Sequence, residues 1–171
     1  MMIADPTRRG QALAALYFTL EPRLYADLEE AGVLPARLTP AEAERVRAEW
    51  ACFALYACVR GLIAAGGFNR ETAGAVDALH AAVTDAWRDR ALAPGARERV
   101  AERYAEYGTI GQTGGAKAAA TVSRRLGEAA ARHMCAGAAP HEALAEMAGA
   151  LHESLAEGAA EAVRSAMDPP P

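Results

Sequence analysis

Ten consecutive residues, Trp50 to Val59, carry no charged side chain and point apolar groups in every direction around a helix. A helix that is apolar all round has to be covered all round. Other helices must therefore surround this one, and no other feature of the chain constrains its fold as strongly. Thr39-Pro40-Ala41-Glu42 supplies a start: a threonine oxygen for the N3 amide, proline at N1 and glutamate at N3, which is a complete capping box. Gly66 supplies a stop. The segment 40–66 is expected to be the buried central helix. Its composition approaches that of a membrane span, but Arg60 interrupts the apolar run at mid-stretch, so no membrane association is expected.

The rest of the chain supplies covering helices. It is rich in alanine, the strongest helix former, and only 6% aromatic, which argues against strands. Asp5-Pro6 caps a first helix with the stripe Leu13, Leu16, Tyr17, Leu20, Leu24, Tyr25 and Leu28. Pro22 falls inside it, and the pattern leaves open whether it kinks one helix or divides two. Asn69 caps another helix, with Val76, Leu79, His80, Val83 and Trp87 at helical spacing. A short helix carries Val100, Tyr104 and Tyr107. Further helices are expected over about 116–136 and from Pro140 onward, the last with the stripe Leu144, Met147, Leu151, Leu155, Ala159 and Val163. The expected fold is an all-α, single-domain bundle of six to seven antiparallel helices over residues 1–167, followed by a proline-rich tail, 168–171.

Charge and thiols narrow the setting. The formal net charge is −4, which argues against a nucleic-acid partner. It is unevenly spread: nine basic and five acidic residues lie between Arg88 and Arg132, and nine basic and seventeen acidic lie elsewhere. Cys52, Cys58 and Cys135 are an odd number in a chain too large to need staples, and the first two point away from each other on one helix. Reduced thiols and a cytoplasmic location are expected, as the N-terminus has no apolar leader.

One stretch breaks the helical monotony. Gly108, Gly111, Gly114 and Gly115 fall within eight residues, and the only lysine, Lys117, follows them. Glycines let backbone N–H groups approach a ligand, and a helix beginning after them would favour an anion. The expected ligand-binding set is Thr113, Gly114, Gly115 and Lys117, with Arg99 and Arg103 able to swing in and Tyr104 or Tyr107 able to stack on a ring. Neither a Walker loop nor a dinucleotide fingerprint is present, since the spacing is wrong and no strand precedes the loop. An ordinary connector between helices is the simpler reading.

The histidines His80 and His133 lie on apolar stripes, with Asp77 one turn from His80. They are candidates for a metal or haem. Yet the chain lacks the paired Glu-x-x-His of metal-binding bundles, and no cofactor is expected. The aromatic residues Trp50, Phe53, Tyr56, Trp87, Tyr104 and Tyr107 fit a core better than a pocket. No convergent catalytic set is legible. The sequence is therefore read as a non-enzymatic helical protein acting through contact with itself or another protein. A small-anion-binding bundle using residues 108–117, and a metal or haem protein using His80 and His133, are the alternatives.

Overall fold

A computed structural model describes residues 5–88, 90, 94–112 and 118–167. Six helices and no strand occur among them: α1 (Pro6–Glu30), α2 (Pro40–Gly66), α3 (Arg70–Trp87), α4 (Ala96–Gly111), α5 (Ala118–Met134) and α6 (Glu142–Met167). The chain is an all-α bundle.

The cap signals act as the sequence suggests. Thr39 Oγ1 accepts the Glu42 amide at 3.3 Å, and the Glu42 carboxylate accepts the Thr39 amide at 2.7 Å. Asn69 accepts the Thr72 amide at 2.8 Å, and Asp5 accepts the Thr7 amide at 3.2 Å. Pro22 lies inside a continuous α1 rather than between two helices. Its neighbour Glu21 is buried, and the Glu21 carbonyl accepts the Trp50 indole N–H at 3.3 Å.

Helix α2 packs against each of the other five helices. Trp50, Cys52, Phe53, Ala54, Leu55, Ala57 and Cys58 have no accessible surface. By length and mean hydropathy α2 could cross a bilayer, but here its apolar stretch is covered by the rest of the chain. Burial pushes the Cys52 and Cys58 thiols up to about 12, so both stay protonated and unreactive at neutral pH.

Small residues set how closely the helices approach. A methyl on Gly61 would sit 2.6 Å from the Ala156 carbonyl and 2.6 Å from the Ala159 methyl, so α2 and α6 touch through their backbones. Gly127 and Gly149 play the same part between α5 and α6, where Ser123 Oγ also donates to the Gly149 carbonyl at 3.1 Å. Glycine and alanine thus produce close crossings beside a core of large side chains such as Trp50, Phe53 and Leu55.

Two stripes differ from the expected ones. On α6 the most deeply buried positions run Leu144, Ala148, His152, Leu155, Ala159 and Val163, while Met147 and Leu151 lie at the flank. Steps of four from Leu144 rotate His152 inward, where steps of three and four through Met147 would have placed Leu151. On α4 the helix runs on through Gly108 to Gly111, so two of the four clustered glycines are helical.

Candidate functional site

The expected ligand residues fall into two groups. Thr113, Gly114, Gly115 and Lys117 lie outside the described residues. The other four belong to α4 and face the protein. Arg103 donates through Nε and Nη2 to the two Glu49 oxygens at 2.8 and 2.9 Å, and Arg99 Nε lies 3.6 Å from the same carboxylate. Glu49 is buried in the middle of α2, so these arginines neutralise an internal charge and are not aimed at an outside anion. Tyr104 is hydrogen-bonded to His80 Nε2 at 2.9 Å. Tyr107 has no accessible surface and meets Phe53 edge-on at 5.3 Å between ring centres. Desolvation holds both phenols well above their ordinary range.

This geometry makes α4 a helix held mainly by polar anchors, with only Tyr107 and Ile110 buried. Substituting Glu49→Gln should therefore cost about 1–3 kcal/mol, less than for a fully buried pair because Arg99 and Arg103 keep some contact with water. Urea unfolding would give the loss. Amide exchange should quicken in α4 first, and exchange that quickens equally in all six helices would contradict this role.

His80 and His133 do not converge. His80 pairs with Tyr104, whereas His133 pairs with Glu106, which also accepts from Arg132 at 3.1 Å. Tyr104 and Glu106 are two apart on α4, so they project to nearly opposite sides of it. Asp77 is exposed beside His80 and brings no second ligand with it. No group of three metal-binding side chains occurs among the described residues. Burial lowers the His80 pKa, which keeps the ring neutral as the partner of Tyr104.

Arg9, Glu21, Glu49 and His152 are buried ionisable side chains that the sequence pattern did not place in the interior. Glu21 is paired with Arg47, whose guanidinium also lies 4.6 Å from the Tyr25 ring centre. His152 has no accessible surface and stacks on Phe53 at 4.1 Å. These contacts fill the interior; the aromatic cluster is core, not a chamber.

The surface offers a different feature. Phe68 is 91% exposed, the extreme among the large apolar side chains described. It sits on the turn between α2 and α3, and that turn is firmly built. Gly67 adopts φ 74°, a conformation suited to glycine, and its amide donates to the Ile63 carbonyl. Asn69 caps α3 and its Nδ2 donates to the Gly66 carbonyl at 2.6 Å. A rigid turn thus holds a phenyl ring in water. Beside it lies an open groove of about 290 Å³ walled by Val59, Ile63, Thr72, Ala73 and Val76. Asp77 lines the groove and Arg70 follows Asn69 of its wall in the chain; both are exposed, and neither forms an ion pair among the described residues. The sequence signal for this feature was an aromatic residue placed between Gly66-Gly67 and a cap residue, off every helical stripe.

No known protein family, no curated protein and no solved structure matches this chain.

Proposed function

We propose that this chain is a non-enzymatic, cytoplasmic helical protein that acts through self-association, with the Phe68 surface as its contact face. The observation that carries this reading is the 91% exposed Phe68 on a locked turn next to an apolar groove. What supports a partner is not the single ring but its continuity with the apolar groove walled by Val59, Ile63 and Val76, since contiguous exposed apolar surface marks interaction sites.

A second copy fits this face because knob and groove lie side by side on one patch, as a two-fold contact requires. The charges agree with that geometry. Arg70 and Asp77 are two turns apart on one face of α3, with the small residue Ala73 between them. Antiparallel pairing of two α3 helices about Ala73 and Gly74 sets Arg70 against Asp77 of the second copy, twice. The same operation carries each Phe68 toward the Val76 end of the other copy's groove.

Magnitudes divide the labour. Burying one phenylalanine contributes about 1.5–3 kcal/mol, and a symmetric dimer buries two. Each exposed ion pair adds only about 0.2–1 kcal/mol. Phe68 therefore supplies the affinity, and Arg70 and Asp77 set the register.

Charge reversal tests the register. Arg70→Asp and Asp77→Arg should each weaken the dimer, because each places like charges opposite one another, and the double variant should restore it. If the double variant is as weak as either single one, the pairing is wrong. The free thiols Cys52, Cys58 and Cys135 support the cytoplasmic assignment. The two alternatives have less in their favour, because Arg99 and Arg103 are engaged with Glu49 and the two histidines stand apart.

A further inference from the structure

At the end of the bundle where α2 begins and α5 ends, a second groove of about 290 Å³ opens between the 33–38 segment and the α5–α6 turn. Its wall is largely apolar: Val33, Pro35, Leu38 and Ala138 are accessible, and the buried Met134 and Leu144 lie beneath them. Arg45 of α2 also lines it. Its Nε atom is buried and has no hydrogen-bond partner, and the guanidinium forms no ion pair. This contrasts with Arg47, Arg99 and Arg103 nearby in the bundle, each of which meets a carboxylate. A half-buried guanidinium with an idle Nε–H is an incomplete arrangement.

The acidic residue in the groove wall does not complete it. Glu42 lines the same groove, but its carboxylate accepts the Thr39 amide; the bonds to Thr39 chiefly hold its pKa below the usual range, and the Arg45 charge adds to this without a direct ion pair. His141 contributes a further donor: its Nδ1 accepts the Ala143 amide at 3.2 Å, which leaves the proton on Nε2. The backbone around the groove is also unusual. The two non-glycine residues with positive φ in the described chain are Arg37 at 57° and Ala136 at 53°, one in each loop that walls it. Such conformations are uncommon for alanine and arginine and tend to gather at binding sites.

We propose that this groove binds a small amphiphilic carboxylate, its head on Arg45 and its hydrocarbon along Val33, Pro35, Leu38 and Ala138. The two Nη groups at the end of an arginine form a planar fork that matches the two carboxylate oxygens, and this is the end of Arg45 that a ligand in the groove can reach. The volume suits a short chain or a single ring, and few polar groups in an apolar wall is the usual make-up of a ligand cleft. This site is separate from the Phe68 face and does not depend on self-association.

Cys135 provides a local reporter. It lines the groove and is partly accessible, whereas Cys52 and Cys58 are buried. The test titrates octanoate and octanol against the full chain, following calorimetric binding and alkylation of Cys135 by iodoacetamide. Octanoate should bind saturably at one site and slow the alkylation, and octanol should bind about tenfold more weakly or worse. Arg45→Met should weaken octanoate by about tenfold or more, with Arg45→Lys intermediate. Two variants guard against a folding defect in either, which thermal melting would expose. Equal binding of octanoate and octanol, undiminished binding in both Arg45 variants, or no saturable binding of octanoate at millimolar concentration would each overturn the proposal.

Discussion

Between pH 6.5 and pH 5 the protein should lose about 2 kcal/mol of stability through His152 alone, a large part of a typical 5–15 kcal/mol. The ring is fully buried, and its Nδ1 lies 3.1 Å from the Phe53 carbonyl. A carbonyl can only accept, so Nδ1 carries the proton and Nε2 is bare, with no partner. A second proton would have to enter an apolar interior near the Arg60 cation. Desolvation, with Arg60 adding to it, therefore lowers the pKa to about 3. The folded value lies below the unfolded one, so the unfolded chain takes the proton first as pH falls. Stability from this group is complete above pH 6.5 and is lost toward pH 3, at about 1.4 kcal/mol per pH unit. His80, also lowered by burial, acts in the same direction. The contribution of His152 is isolated by comparing urea unfolding of the native protein and His152→Phe across pH 5–7. The variant should show the shallower dependence, and parallel curves would contradict a neutral, buried His152.

Gly127→Val should cost about 3 kcal/mol or more, the largest loss expected from a single glycine substitution here. A Cβ at this position would fall onto the Ala145 carbonyl and lie 2.8 Å from the Gly149 amide nitrogen. Those atoms belong to the backbone of α6 and cannot rotate away, so the helices would have to separate. The Ser123–Gly149 hydrogen bond would go with them. Replacing a mid-helix glycine recovers less than about 1 kcal/mol of helix propensity, so overpacking decides the sign. Gly158→Ala provides the contrast. Nothing lies within 4 Å of its would-be methyl, and it should be stabilising by about 0.5–1 kcal/mol. Thermal melting of both variants gives the comparison, and equal shifts in one direction would show that the α5–α6 crossing is not backbone-limited.

Local signals in the sequence carried most of the architecture. The all-apolar run from Trp50, the Thr39 capping box and the Asn69 cap each act over a few residues, and each appears where the pattern put it. Features that depend on distant partners were not legible. Whether α1 passes through Pro22 is decided by its packing, not by the proline. His152 turns inward because four-residue steps align it with Leu144 and Ala148, a choice settled by what α2 presents. Arg99 and Arg103 looked available to an anion because Glu49, fifty residues earlier, could not be placed opposite them. Gly61 and Gly127 gave no hint of their role, since a crossing point is a property of two helices. Phe68 was visible as an aromatic residue in a turn, but its exposure depends on the shape of the turn and on the groove beside it.

Sedimentation equilibrium of the native chain and of Phe68→Asp, over the same micromolar concentration range, tests the contact face most directly. Self-association through Phe68 predicts a native mass that rises from monomer toward dimer with concentration. The Phe68→Asp protein should stay monomeric with unchanged helicity, since the ring contributes little to the folded monomer at 91% exposure. A native chain that remains monomeric throughout, or a variant that associates as well as the native chain, would contradict it.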